Sequence, residues 1–255
     1  MSSKRFDGHE PTEGTDTGGV PWSGRTLLGT GFDADSGAAE ADVLAALDNR
    51  RDEKALVAAI AAARLIVPVV AVAGETTEVN GLVTDASSDM AAVTLQAPTG
   101  EKALPAFTSM AALAAWDSSA RPVPVTAQRA ALAAVQEGCG VIVVDLAGRG
   151  DESEPTPVAL RSSMVWALAM NREWLPAHED EHVQSAVDQA IAEEDDVSGG
   201  TLSVGQHSAL QIALTLKPNL ASDQIQQIVT RIGERLATDG EVRARIDAIS
   251  FKLND

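Results

Sequence analysis

The chain has no tyrosine, one cysteine, few aromatic residues and too few basic ones, and each shortage removes a class of function. A single Cys139 cannot form an internal disulfide and cannot supply a cysteine zinc site. With 19 Lys and Arg against 37 Asp and Glu, the net charge of -18 leaves no basic stripe to neutralise phosphates, which excludes nucleic acid as a partner. The same charge disfavours an anionic membrane surface. No apolar run approaches the roughly 20 residues that span a bilayer. The first 20 residues lack the basic patch and apolar core of a signal peptide, so a cytoplasmic location is expected. Aromatics make up only 3% of the chain while alanine is abundant, so helices should pack through small residues. The few large side chains (Phe107, Trp116, Trp166, Trp174 and Phe251) should then matter individually.

What is present is a chain of 255 residues, 45% hydrophobic, long enough for one large or two small domains. Its organising stretch is residues 90–147. Residues 90–96 and 103–108 are short apolar runs around Ala97-Pro98-Thr99-Gly100, which predicts a hairpin. Ser109 can cap a short helix carrying Met110, Leu113 and Trp116 on one side. The prolines in Arg121-Pro122-Val123-Pro124-Val125 keep that link extended. Thr126 can cap a second helix, Gly138 ends it, and residues 141–144 read as a buried strand.

These residues carry a resemblance. Residues 103–109, Ala114-Ala115-Trp116, residues 121–125 and the helix and strand ending at Asp145-Leu146-Ala147-Gly148 resemble the SseB (enhanced serine sensitivity) family, in particular its longer actinobacterial type. Trp22-Ser23-Gly24-Arg25, residues 32–37 and Trp174-Leu175-Pro176-Ala177 with Asp180 and Val183 are similar too, so the likeness runs over about residues 22–183. The resemblance implies an α+β fold and carries almost no mechanism; the family's name, which records a phenotype, points to a small-molecule or amino-acid sensor as one reading.

The domain expectation is a disordered or arm-like segment over residues 1–40 and an SseB N-terminal-like domain over 41–175, a mixed sheet with flanking helices. An acidic helix and linker follow over 176–200, then a smaller α+β unit over 201–255. Residues 41–63 are helical with a break at the charged cluster 48–54. Residues 65–72 form a strand that Pro68 marks as an edge or bulge, and residues 74–89 form an exposed loop. Residues 149–155 form a hydrophilic loop, residues 160–171 a helix, and Ser198-Gly199-Gly200 the clearest linker. Residues 210–217 alternate as a half-buried strand, Ser222 caps the most amphipathic helix, residues 241–247 are ambiguous, and Ile249, Phe251 and Leu253 alternate as a last strand. A unit that small should pack on the main domain or on a second copy.

Several motifs invite chemistry. His178-Glu179-Asp180-Glu181-His182 satisfies H-E-x-x-H, in which two histidines one turn apart hold zinc and the glutamate activates water. Its intervening residues are acidic, Pro176 places His178 in a first turn, and no third ligand is at hand, so a solvated helix start is the competing reading. Gly29-Thr30-Gly31 lacks the strand and helix of a phosphate-binding loop. Cys139 follows a helix C-terminus and reads as structural. Asp145 ends a strand where α/β sites place a carboxylate, although a turn-capping Asp explains it as well. Arg121 and Arg129 could flank an anion site, with a surface salt bridge as the alternative. The acidic run at 193–196 lacks calcium-loop spacing.

The expectation drawn from these residues is a non-catalytic interaction or regulatory module without a cofactor. Its interaction residues are Phe107, Trp116, Arg121 and Arg129, and its partner is an unidentified protein or a second copy. A metal-dependent hydrolase using His178, Glu179 and His182 is the alternative from another class.

Overall fold

The structure, a computed structural model, describes residues 31–73, 76–79, 82–85, 88–149 and 157–254. The expectations for residues 1–30, including most of the arm and of Gly29-Thr30-Gly31, and for all but Arg149 of the hydrophilic loop at 149–155 lie outside them. The chain divides into two units, Met1–Ser36 and Gly37–Asp255, and the second holds all the helices and strands of the described residues.

Helices α1 (Ala41–Asp48) and α2 (Glu53–Ala62) are separated where the charged cluster interrupts the apolar pattern. Asp52 accepts a hydrogen bond from Ala55 N at 3.0 Å, so the break is a capped restart. Strand β1 (Arg64–Ala73) follows, then β2 (Thr76–Val79), β3 (Leu82–Asp85) and β4 (Ser88–Ala92). The expected loop at 74–89 therefore holds a two-stranded ladder, β2 with β3, and the start of β4. Next come β5 (Leu95–Gln96), β6 (Lys102–Ala106), α3 (Met110–Trp116), β7 (Arg121–Thr126), α4 (Ala127–Gln136), β8 (Val141–Val144), β9 (Val158–Leu160) and α5 (Ser162–Ala169). Ser109 and Thr126 cap α3 and α4 as expected, accepting from Ala112 N at 3.0 Å and Arg129 N at 3.3 Å. Gly138 takes φ 70° just past α4, where a left-handed residue ends the helix without a Cβ clash.

Two sheets of the mixed α+β architecture, β4-β1-β7 and β5-β6-β8-β9, meet at one place. Ile66 and Phe107 exchange both main-chain hydrogen bonds, at 2.8 and 2.9 Å. Two expectations change here. Only Leu95 and Gln96 of the first apolar run pair with β6, because Met90 and its neighbours pair with β1 instead. Pro68 lies in a central strand, not an edge. Its ring is tolerated because Ile66 and Pro68 face the same side, and on that side β1 passes from Phe107 to β4, so no ladder N–H is wanted at Pro68. Its carbonyl still accepts from Val93 N at 2.9 Å.

The main core lies between one face of these sheets and α1, α2, α4 and α5. Leu65 and Val67 from β1, Leu104 and Ala106 from β6, and Ile142 and Val144 from β8 meet Leu56, Ile60, Met164 and Leu168. Helix α4 contributes Ala127, Ala130, Ala131 and Ala134, all fully buried, which is how an alanine-rich chain brings a helix backbone close to its neighbours. On the opposite face α3 covers Ile66 and Phe107 with Ala112 and Leu113.

The rest of the chain forms α6 (Glu181–Ala192), β10 (Val197–Val204), β11 (Leu210–Leu216), α7 (Ser222–Thr238), α8 (Gly240–Arg245) and β12 (Ile249–Asn254). Its sheet runs β10-β11-β12, antiparallel then parallel. Ser198-Gly199-Gly200 is no linker: it belongs to β10, and a Cβ on Gly200 would come within 2.5 Å of Ile191 Cδ1. The glycine is there so that α6 can lie close on the sheet. Val183, Val187 and Ile191 meet Ile212, Leu214, Ile228 and Ile232 in a second core. The ambiguous stretch at 241–247 resolves as helix as far as Arg245, because Asp239 accepts from Glu241 N and Val242 N, and Val242 is buried.

Two polar constructions hold this part in place. Buried Glu194 accepts from Arg231 and Arg235, tying the end of α6 to α7, and the Arg231 contact above all holds its carboxyl at about 2, well below the usual range. Asp247 reaches back to α5, whose own N-cap, Arg161, makes no side-chain cap bond. Its carboxylate accepts from Ser163 N and Ser163 Oγ, both at 2.8 Å, and from Arg161 Nε at 2.9 Å. Arg161 also forks onto Glu53 at 2.6 and 2.9 Å, and both partners raise its pKa. A helix of the first core is thus capped by a residue 84 positions along the chain.

Replacing Asp247 by Ala strands Ser163 N and half of Arg161, so a loss of about 2–4 kcal/mol is expected in denaturant unfolding. Glu194→Gln keeps the shape and removes the charge, with an expected loss of about 1–2 kcal/mol at neutral pH because both arginines are partly exposed. Since the folded-state pKa is depressed, that contribution is complete above the unfolded value of 4.5 and disappears as pH falls towards about 2. The stability gap between wild type and Glu194→Gln, measured from pH 7 to pH 2, should therefore close at the acid end.

Candidate functional site

Strands β6 and β8 are parallel and end level with each other, Ala106 opposite Val144. Just beyond their carboxyl ends lies a cluster of buried polar residues: Thr108 is 3% exposed, Asp145 4% and Arg64 9%. Asp145 takes φ 51°, a left-handed conformation that Asp tolerates better than most residues. From there its Oδ1 accepts from Thr108 N at 2.9 Å and its Oδ2 from Thr108 Oγ1 at 2.8 Å. Arg64 works from the other side, donating from Nη1 to Thr108 O and from Nη2 to Ala38 O, both at 2.7 Å. The main chain around Thr108 is held by a carboxylate at its N–H and a guanidinium at its carbonyl.

This arrangement fixes one wall of an open cavity of about 540 Å³ lined by Leu44, Asp48, Thr108, Ser109, Ala111 and Arg149, with residues 37–39 along its side. The position is the one at which open α/β sheets commonly bind ligands, outside the carboxyl ends of parallel strands. Arg149 Nη2 lies 2.8 Å from Asp48 Oδ1. Of the two readings open to Asp145 in the sequence, these contacts are those of a loop-capping residue, and its carbonyl also accepts from Gly148 N across a turn.

The other sequence-derived candidates are dispersed. Helix α6 begins at Glu181, so His178 and Glu179 precede it and the two histidines do not share a helical face. His178 Nε2 is 3.7 Å from Glu179, whereas His182 Nε2 is 3.9 Å from Asp239. The residue of that motif with a defined job is Asp180, which caps α6 and receives Arg245 Nη1 at 2.8 Å. Among the described residues no group of three His, Cys, Asp or Glu side chains is placed to hold a metal ion.

Phe107 is fully buried and stacks at 5.4 Å on half-buried Trp116, so it supports α3 from beneath. Arg121 and Arg129 are both exposed, Arg121 at the start of β7 and Arg129 in the first turn of α4, with the whole of β7 between them. Cys139 is buried, and burial pushes its thiol pKa up, as a structural cysteine requires. Arg64, Asp48 and Arg149 were not singled out in the sequence, and Ser109 only as a helix cap. Only Arg64 leaves a trace there, as the lone charge between the apolar runs at 55–63 and 65–73.

Residues 41–167 match the family model of the SseB protein N-terminal domain. The chain belongs to the SseB family. The match begins with α1 and ends inside α5, so it contains Arg64, Thr108, Asp145 and the cavity wall, and the SseB domain's last helix is the one that Asp247 caps. No curated protein and no solved structure matches the chain. Among the described residues no helix is long and apolar enough to cross a membrane.

Asp145→Asn preserves the backbone conformation but turns an amide donor or a neutral acceptor towards Thr108. An expected loss of about 2–3 kcal/mol, against about 1 kcal/mol for Thr108→Val, would show in urea unfolding that the charge-assisted bonds hold this junction.

Proposed function

We propose that this SseB-family chain is a non-catalytic regulatory module that binds a protein partner across the outer face of α4 and the end of α5. The observation that carries the reading is a line of exposed apolar side chains there. Leu132 is 43% exposed, Val135 56% and Met170 49%, on helices whose inner faces are fully packed. Gln128, Leu132 and Val135 follow one another at helical spacing on one face. Gln128 Nε2 donates to Ala169 O at 3.3 Å, which puts Met170 at the head of the same line. Isolated exposed apolar residues need no explanation, but a row of them bordered by a polar rim is the anatomy of an interface. Exposed Arg129 supplies such a rim in a chain of net charge -18, and favours a partner with carboxylates around an apolar centre.

This reading keeps Arg129 from the sequence-derived interaction residues and moves the contact from Phe107 and Trp116 to α4. It keeps the cytoplasmic location expected from the sequence. The hydrolase alternative draws no support from histidines that lie off a common helical face.

Leu132→Asp with Val135→Asp should leave unfolding stability within about 0.5 kcal/mol, as exposed positions do. A photo-crosslinker at position 135 in cells that make the protein should give a discrete adduct that disappears with Leu132→Asp. Light scattering over a concentration series separates a second copy from a different protein. An absent adduct, or one indifferent to Leu132→Asp, overturns the reading.

A further inference from the structure

We propose that β12 is a self-pairing edge: two copies of the chain join their β12 strands antiparallel about a two-fold axis at Phe251, so that two three-stranded sheets become one. The inference is independent of the partner surface on α4. It rests on the free edge of the C-terminal sheet, the regularity of that edge and the symmetry of its residues.

A sheet of order β10-β11-β12 has two edges, and they differ. On β10 the register with β11 shifts between Val197 and Gly199, and Gly199 and Gly200 offer no side chain to a partner. Bulges are one of the ways natural sheets blunt an edge, and glycine weakens a strand. Strand β12 pairs with β11 without a break from Ile249 to Asn254 and holds no proline or glycine. Leu210 N donates to Ala248 O at 2.8 Å, which fixes the phase of this parallel ladder. The even-numbered residues of β12 therefore turn their main-chain groups to β11, while Ile249, Phe251 and Leu253 turn their N–H and C=O outward. Lys252, the one charged residue of β12, shares the Ala213 side of the sheet, away from the second core, and leaves the edge open.

An antiparallel partner must offer the same groups in reverse order, and β12 does so itself. With Phe251 opposite Phe251 of the second copy, Ile249 stands opposite Leu253, and each pair exchanges both main-chain bonds. Ile249 is 36% exposed and Leu253 44%, on the side where Leu210, Ile212 and Leu214 are buried, so the pairing carries the apolar layer of the second core across the axis. On the other side Lys252 meets Ser250. Centring the pair on Lys252 would set two ammonium groups opposite each other, and centring it on Ser250 would set Leu253 opposite Asp247. Charge points the same way. With 37 Asp and Glu against 19 Lys and Arg, two copies repel over most of their surface, but β12 carries no carboxylate from Ile249 to Asn254. Another protein's strand would find the same main-chain groups; the two-fold match of apolar and charged positions is what selects a second copy. One strand pair falls short of the roughly 800 Å² per partner of a standard interface, so the dimer is weak and forms with concentration.

Sedimentation velocity of the full chain, from about 1 μM to about 1 mM at physiological salt, should show monomer passing to dimer with a dissociation constant on the order of 100 μM. Leu253→Pro removes a donor that faces outward and none that serves β11, so the chain should stay folded while the dimer weakens about tenfold or more. Ile249→Lys, which sets an ammonium against Leu253 of the second copy, should do the same without touching the main chain. Leu132→Asp with Val135→Asp should leave the dimer unchanged, which separates this edge from the α4 surface. Crosslinking reads the register. Directly opposite residues of a non-hydrogen-bonded pair have Cα atoms about 4.5 Å apart and diagonal ones about 7–8 Å, so a mixture of Ser250→Cys and Lys252→Cys chains should form a disulfide that neither forms alone. Cys139 is buried and takes no part. A monomer at every concentration overturns the proposal and leaves the edge to a different protein. A dimer indifferent to both Leu253→Pro and Ile249→Lys overturns it, as does crosslinking of each cysteine variant with itself as fast as in the mixture.

Discussion

Two main-chain hydrogen bonds between Ile66 and Phe107 splice the two sheets of the SseB domain, and much else follows from where that splice falls. It sets β1 beside β6 for a single pair of residues, after which β1 goes on to β4 and β6 gives way to α3. A splice so short needs support from both ends. Phe107 is buried against Trp116 on one side of the sheet, and Arg64, two residues before Ile66, reaches across to Thr108 O, one residue after Phe107. Asp145, arriving on β8, closes the same junction from the N–H side. The polar cluster and the sheet splice are one construction, which is why the crevice beside it has a rigid wall.

Local signals in the chain were legible wherever one residue acts through its own backbone. Ser109, Thr126 and Gly138 begin and end α3 and α4 as their chemistry dictates, and the alternation from Leu210 to Leu216 is a strand with one buried face. Misreadings came where the meaning of a residue depends on something distant. Gly199 and Gly200 have the composition of a linker, and only the approach of Ile191 reveals why glycine is needed at position 200. Pro68 reads as an edge residue until the change of partner along β1 is known. Met90 and Leu95 belong to one apolar run yet pair with different strands.

The candidate site was less legible than the fold for the same reason. Arg64, Thr108 and Asp145 are separated by 44 and 37 residues, and no spacing rule connects them. The sequence placed Asp145 at a strand end, where a carboxylate has two ordinary explanations, and could not show that its partner is the backbone of Thr108. The H-E-x-x-H pattern failed in the opposite direction. Its spacing has meaning only on a continuous helix, and Asp180, one of its variable positions, is the residue that starts the helix. The cap excludes the periodicity that the motif presumes.

The C-terminal unit bears on what the SseB domain can be by itself. Helix α5 closes the main core with Met164, Val165 and Leu168, yet its first turn is satisfied by Asp247. The same Asp247 holds Arg161, which holds Glu53 at the start of α2, so two helices of the first core share one anchor in the second. Helix ends left without partners fray, and α5, at eight residues, has few turns to lose. The boundary at residue 167 thus marks where the family pattern ends and not where the cooperative structure ends. Cutting there would remove the cap along with the C-terminal unit, and would also remove Ala169 and Met170, with the bond from Gln128 that joins the end of α5 to α4.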